Sequence, residues 1–233
     1  TRALSNGASV PVRTVPHIVP DPASAHPKPT AQDIDFHVIA SADARSSLAR
    51  KNLEGAVRAF RIAFEDDPMV RLTVRLGHGA ASDPVVTRFE RQCTGQANIR
   101  LITDIMDEHA GAAFFASADA MLSLHRSEGF GLVLAKAMRG GLPVIATGWS
   151  GNMEFMTQES ACLVGHESIG VQDPQGIYTQ TDQVWADPDL EEAAAWLRRL
   201  RSEPELRARI AGDAARLYPA ERIRGMLRDA LGR

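Results

Sequence analysis

From Asp35 to Thr147, short apolar runs of strand length alternate with stretches of helical periodicity, and this alternation constrains the fold more than any other feature. Phe36–Ser41, Val70–Leu76, Ile99–Thr103, Ala120–Leu124 and Pro143–Thr147 read as strands. Between the first two, Leu53, Ala56, Val57, Phe60, Ala63 and Phe64 recur on one face of a helix. Val85–Cys93, Glu108–Ala118 and Leu132–Arg139 supply three more helices. Strands that are apolar almost throughout are those buried on both faces of a parallel sheet. The pattern therefore predicts an α/β domain over residues 35–233, a doubly wound (Rossmann-like) parallel sheet with helices on both faces.

The flanks read differently. Residues 1–34 hold six of the 13 prolines, a density that blocks helix interiors and central strands, so this segment is a lead-in, with Val10–Val12 and His17–Val19 as candidate short strands. After Val164 the pattern loosens into a loop containing Gly165, Gly170, Pro174 and Gly176. Two helical segments then close the chain. The first begins near Pro188, where the missing N–H of a proline costs nothing, and carries Ala193, Trp196, Leu197 and Leu200 on one face. The second begins near Pro204, with Leu206, Ile210, Ala214 and Leu217.

Composition removes several function classes. With 233 residues, 44% apolar, and a formal charge of −3, the chain has the make-up of a globular domain rather than a disordered tail or a nucleic-acid binder. The longest apolar runs, such as Ala110–Ala116, fall far short of the ~18 residues of a spanning helix. The first residues show no apolar signal core, so export is not expected. Cys93 and Cys162 stand in neither a C-x-x-C nor a metal-ligand spacing and are expected to be buried thiols in a reducing compartment.

The chemistry concentrates in Asp119–Met138. A buried strand ends near Leu124, a polar turn carries His125, Arg126, Ser127 and Glu128, and Gly129 and Gly131 lead into a helix. Ligands of open α/β sheets sit outside the carboxyl ends of the strands, where a helix N-terminus offers free N–H groups to an anion such as phosphate. Glu128, an acceptor-only group beside such a site, suits sugar hydroxyls. A tight turn with a solvated carboxylate is the plainer alternative. A second phosphate candidate follows the first strand, where Arg45 and Lys51 stand six apart and can together neutralise a diphosphate. Taken alone, that cluster also fits a solvated face.

Three features are decoys. Gly77-His-Gly-Ala-Ala-Ser82 lacks the third glycine of a dinucleotide fingerprint. Asp33 and Asp35 precede their strand and so lie at the wrong edge of a parallel sheet. The seven histidines form no H-x-x-H or H-x-x-x-H pair, so no metal ligands can be named.

These residues carry a resemblance. His125-Arg-Ser-Glu-Gly-Phe-Gly-Leu132, Ala137-Met138, Gly141–Thr147 and Ser150–Met156 together resemble the donor-binding, C-terminal domain of retaining GT-B glycosyltransferases of the group 1 (GT4-like) type. Asp43–Asn52 is similar to that family's basic loop, and Trp185-Ala-Asp-Pro-Asp189 to a segment of its bacterial members. The resemblance spans residues 10–200. It implies an enzyme of two Rossmann-like domains that moves a hexose from a nucleotide-diphosphate sugar, on UDP or GDP, to a glycan or lipid-linked acceptor. The Pro-rich start is similar to the interdomain connection, which implies that the acceptor domain is absent and that the isolated chain transfers little.

The resemblance also implies roles. Arg45 and Lys51 would hold the diphosphate, supported by backbone N–H groups around Gly129, Phe130, Gly131 and Leu132, and Glu128 would contact the donor sugar. The loop near Thr103–Ile105 would lie against the base. Positive groups would stabilise the leaving diphosphate, so no metal and no cofactor is implied. Lys136 departs from the pattern: the family carries a second Glu there for the ribose, whereas an ammonium has three donors and no acceptor. A cytoplasmic location is implied, with peripheral contact to the inner membrane belonging to the absent half. Two alternatives stay open, a non-catalytic nucleotide-sugar-binding module and a GT-B-like epimerase.

Overall fold

The computed structural model describes residues 17, 19, 34–78, 83–180, 182–215 and 220–231. Six strands, β1 (Phe36–Asp43), β2 (Val70–Gly77), β3 (Ile99–Ile102), β4 (Ala120–Ser123), β5 (Val144–Thr147) and β6 (Cys162–Val164), form one sheet in the order β3-β2-β1-β4-β5-β6. Every neighbouring pair is parallel, and β1 runs in full register with β2 from Phe36 opposite Val70 to Asp43 opposite Gly77. Helices α1 (Leu48–Lys51), α2 (Leu53–Phe64), α3 (Pro84–Cys93), α4 (Glu108–Ala116) and α5 (Leu132–Arg139) connect the first five strands. After β6 come β7 (His166–Gly170), β8 (Val184–Pro188), α6 (Leu190–Ser202), α7 (Pro204–Ala215) and α8 (Ala220–Leu231).

Strand pleating sends alternate side chains to opposite faces. Phe36, Val38, Ala40 and Ala42 of β1 pack into a cluster with α2, α3 and α6, while Ile39 joins Met121, Val144 and residues of α5 on the other side. Phe60 and Phe89 are fully buried in the first cluster, Met138 and Leu134 in the second. A side chain buried to that extent contributes about 1.5–3 kcal/mol relative to exposure. The doubly wound α/β expectation matches this architecture.

Helix starts follow local chemistry. The side chains of Asp83, Asp107 and Asp189 accept from Val85 N, Ala110 N and Glu191 N, satisfying orphan donors at the starts of α3, α4 and α6. Pro84 then occupies the first turn of α3.

Three expectations are corrected. The segment after Val164 is not a loop throughout: β6 extends the parallel sheet, and β7 and β8 form a separate antiparallel pair with His166 opposite Pro188. Most of β7 is exposed or half-buried, so it carries no apolar run. Pro188 ends β8 instead of starting a helix; Asp189 caps α6. At the end of a two-stranded ribbon, the absent N–H of Pro188 interrupts no central ladder. Among the described residues, helix α8 follows the two helical segments expected at the end of the chain.

Of the lead-in, His17, Val19 and Ile34 are described and none belongs to a strand, whereas Val10–Val12 lies outside the described residues. Gly79–Ser82, Asp33 and Leu217 lie outside them as well. Cys93 and Cys162 are buried free thiols, pushed by burial up to about 11 and about 12. Among the described residues, no helix is long and apolar enough to cross a membrane.

Candidate functional site

Strand order reverses between β1 and β4: the chain winds outward from β1 through β2 to β3, then returns to β4 on the other side. Such a switch point opens a crevice at the carboxyl edge of the sheet, because the connections leaving its two strands diverge. The loops following β1 and β4 meet there. Asn52 joins them by donating from Nδ2 to Leu124 O at 2.8 Å, while its Oδ1 accepts from Gly55 N at 3.1 Å. Arg126 N donates to Arg50 O at 2.7 Å, and Arg126 Nη1 to Ala49 O at 2.8 Å.

Four residues long, α1 turns the cationic side chains of the β1 loop inward. Arg50 Nη1 donates to Ser127 O at 2.6 Å and lies 3.6 Å from Glu128 Oε2. Lys51 Nζ is paired directly with Glu128 Oε1. The side chains of Arg50 and Glu128 each retain about 10% of their exposure, so two cations and one carboxylate share a space largely removed from water. One positive charge is left without an internal counter-ion in that trio, and a partly desolvated site strengthens its pull on an anion.

Arg45 is not brought to that cluster. Its guanidinium forks onto Asp43, Nε to Oδ1 at 3.1 Å and Nη2 to Oδ2 at 2.8 Å, and its side chain is 66% exposed. The Arg45 hydrogen bond, with lesser help from His78 at 3.0 Å, holds the Asp43 carboxyl down at about 2. Arg45 faces an open recess of about 390 Å³ that His78, Asp83, Gln175 and Ile177 also line.

The β5 side supports the Glu128 loop from below. Glu128 N donates to Ser150 Oγ at 2.7 Å, and Gly151 N donates to Glu128 O at 3.0 Å. Beneath them, fully buried His125 faces Trp149 O and Asn152 Oδ1 through Nε2, and Ser123 Oγ through Nδ1. Asn152 donates its amide N–H to Thr147 O, so its Oδ1 is left to accept, and Nε2 of His125 carries the proton. Desolvation pulls the His125 pKa below its ordinary 6.5 against the weaker influence of Glu128. The unfolded chain therefore takes up a proton below pH 6.5 that the native imidazole refuses. Stability is expected to fall on acidification through that range by up to about 1.4 kcal/mol per pH unit, and His125→Asn to flatten the slope. Urea midpoints between pH 5 and 7 check this; equal slopes in the two proteins would refute it.

Gly131, at φ +90°, starts α5 with no side-chain cap, so the first amides of that helix remain available at the crevice. Phe130 lies against Phe155 and His17, with ring centroids 5.0 and 5.1 Å apart. Gly129 and Leu132 are exposed, Lys136 is exposed one turn along α5, and Ile105 projects from the loop after β3. Sequence reasoning missed Arg50 and Ser150, which the geometry brings to the Glu128 loop. Among the described residues, no group of three or more His, Cys, Asp or Glu could hold a metal ion.

Residues 1–219 match a family described as "Family 4 Glycosyltransferase in conflict systems". The chain belongs to this GT4-conflict family. Solved structures agree on the fold. HepE of Anabaena, in complex with UDP and glucose, superposes with a TM-score of 0.62 at 16% identity, over 84% of the GT4-conflict chain and 48% of HepE. TarM gives 0.61 at 14% identity, over 89% and 37%. The C-terminal domain of a group 1 glycosyltransferase, LpcC of Francisella tularensis, gives 0.56 at 18% identity, over 82% and 92%. The GT4-conflict chain thus spans less than half the length of TarM and HepE and has a GT-B-type Rossmann-like fold. No curated protein matches it.

Proposed function

We propose that this chain is the donor-binding half of a retaining glycosyltransferase, taking a nucleotide-diphosphate sugar and passing the sugar to a glycan or lipid-linked acceptor held by a second domain. The observation that carries this is the convergence of Arg50, Lys51 and Glu128 at the switch point. The uncapped start of α5 follows on the same loop. Arg50, Lys51 and the amides of Gly131 and Leu132 hold the diphosphate, and Gly129 and Phe130 let it approach. Arg45 serves as an outer cation that reaches phosphate on leaving Asp43. As the bond from the sugar's anomeric carbon to oxygen breaks, its electron pair moves onto the diphosphate. The cations stabilise the charge that develops there, which needs neither metal nor cofactor. Glu128 is the catalytic residue: its carboxylate accepts from hydroxyls of the donor sugar while the positive sugar forms. Ile105 lies against the base.

HepE was crystallised with UDP, which makes UDP the first probe. Calorimetric titration with UDP, GDP and their sugars tests the proposal: binding of one nucleotide is expected, and no binding of any overturns it. Lys136 favours a second reading, a binding module without transfer, because an ammonium stands where a ribose acceptor is expected. Lys136→Glu is expected to tighten UDP binding by about tenfold or more, the scale of one hydrogen bond to a charged group; unchanged affinity would remove Lys136 from the ribose site. Transfer by the complete gene product decides between enzyme and module. For the full protein we propose a cytoplasmic location with peripheral membrane contact.

A further inference from the structure

The connection between β7 and β8 reaches back to the β1 loop, 126 to 131 residues away in sequence. Gln175 is the centre of the contact. Its Oε1 accepts from Leu48 N at 2.6 Å, and its Nε2 donates to Ala44 O at 3.0 Å and Asp83 Oδ2 at 2.8 Å. Two residues earlier, Asp173 Oδ1 accepts from Ser47 Oγ at 2.8 Å. The other oxygen of Asp173 accepts from Ile177 N and Tyr178 N, which folds the connection into a self-fastened turn. Tyr178 then presents its ring to the Arg50 guanidinium, 5.7 Å from centroid to Cζ, and is itself set edge-on against Trp185 of β8.

These contacts fall where the β1 loop is under strain. Ser47 and Asn52, on either side of α1, have φ of +61° and +51°, a region non-glycine residues seldom occupy. Asparagine accepts the left-handed region more readily than most residues, but Ser47, with ψ at 112°, does not hold its shape by propensity, so the surroundings must impose it. Asn52 is tied to Leu124, and Ser47 and Leu48 are tied to Asp173 and Gln175. The backbone groups of Ala44 and Leu48 are thus satisfied by a side chain of the same protein rather than left for a ligand. Core filling does not explain Gln175, because it lines the open recess beside Arg45.

We infer that residues 173–178 are a positioning strap, in which Asp173 and Gln175 fix the backbone of the β1 loop so that Arg50 and Lys51 stand ready for a diphosphate. This rests on the donor-site assignment above. Neither strap residue touches the ligand; both act through Ala44–Lys51. Ordering a long cationic side chain during binding costs affinity, and a loop held beforehand avoids that cost.

The test measures UDP and pyrophosphate binding by calorimetry in the full chain, with backbone hydrogen exchange over residues 44–52. Gln175→Ala is expected to weaken binding about tenfold, the scale of ordering two such side chains anew, and to speed exchange at Leu48–Asn52. Added to Lys51→Met, the same change should cost only about threefold, since one of the two cations it positions is gone and Arg50 remains. Gln175→Glu keeps the bulk but sets a second carboxylate against Asp83, and should reproduce the effect if the alanine variant folds poorly. A lowered melting temperature with unchanged affinity and exchange would mark the strap as merely structural and overturn the inference. Tighter binding in Gln175→Ala would overturn it too, showing a block instead of a support. If Lys51→Met binds like the wild type, the donor-site assignment itself fails; exchange over 44–52 then decides on the strap alone.

Discussion

Replacing Lys51 with methionine is expected to weaken UDP binding about a hundredfold, since a charge-assisted contact to phosphate is worth up to about 3 kcal/mol. Methionine keeps most of the apolar stem, so the change isolates the ammonium. Arg50→Met should lose a comparable amount. Arg45→Met should lose less than about fivefold, because an exposed ion pair contributes about 0–1 kcal/mol and Arg45 is already engaged with Asp43 in the open recess. That ranking is the sharp part of the prediction. A larger loss at Arg45 than at Lys51 would place the phosphates in the recess and away from Glu128. Folding must be followed alongside, because Lys51→Met strips Glu128 of its direct partner. Arg50 remains 3.6 Å away, so the cost should stay near 1–2 kcal/mol, below the ~3–5 kcal/mol of a buried carboxylate left with none. Affinity in the wild type should also fall with added salt, and less steeply in the variant.

The ranking departs from the sequence because six-residue spacing says nothing about which way a loop turns. Arg45, Arg50 and Lys51 are equally basic on paper. Only the four-residue helix α1, bounded by two residues at positive φ, directs the last two toward Glu128. A clue to Arg45 was present all the same: Asp43 stands two residues before it and also caps the following turn, and so holds it locally. Where burial is complete the sequence was legible. β1 puts Phe36, Val38, Ala40 and Ala42, and β2 Val70, Leu72, Val74 and Leu76, into the core, and α2 shows its face through Ala56, Val57 and Phe60. Where burial is partial it was not. β7 and β8 pair mainly with each other, half exposed, and the strap between them depends on polar contacts whose partners lie 92 to 131 residues away. Glycine-rich sequence around Gly129 and Gly131 pointed to the α5 end of the site, yet the support below it comes from Ser150, Gly151 and Asn152, which present only short polar side chains or none.

Gly151 is the position where that support is tightest, and Gly151→Ala is expected to be the most damaging single methyl in the crevice. An alanine Cβ there would stand 2.1 Å from Gly129 O, 2.5 Å from Gly129 C and 2.9 Å from Glu128 O. All three are backbone atoms, so no rotamer change can relieve the overlap, and the β4 loop or the β5 loop has to move. Overpacking of this kind costs about 1–3 kcal/mol and occasionally more. At the upper end, a chain of this size should melt about 6–12 °C lower. The hydrogen bond from Gly151 N to Glu128 O would break in the same displacement, carrying the carboxylate away from Lys51 and the α5 amides. UDP affinity should then drop at least as far as in Lys51→Met, although no charged group has been touched. Gly129→Ala is the matched control for stability: its Cβ meets nothing within 4 Å, so its melting temperature should stay near that of the wild type. If Gly151→Ala melts with Gly129→Ala and binds UDP as the wild type does, the β5 loop is not what holds Glu128 in place.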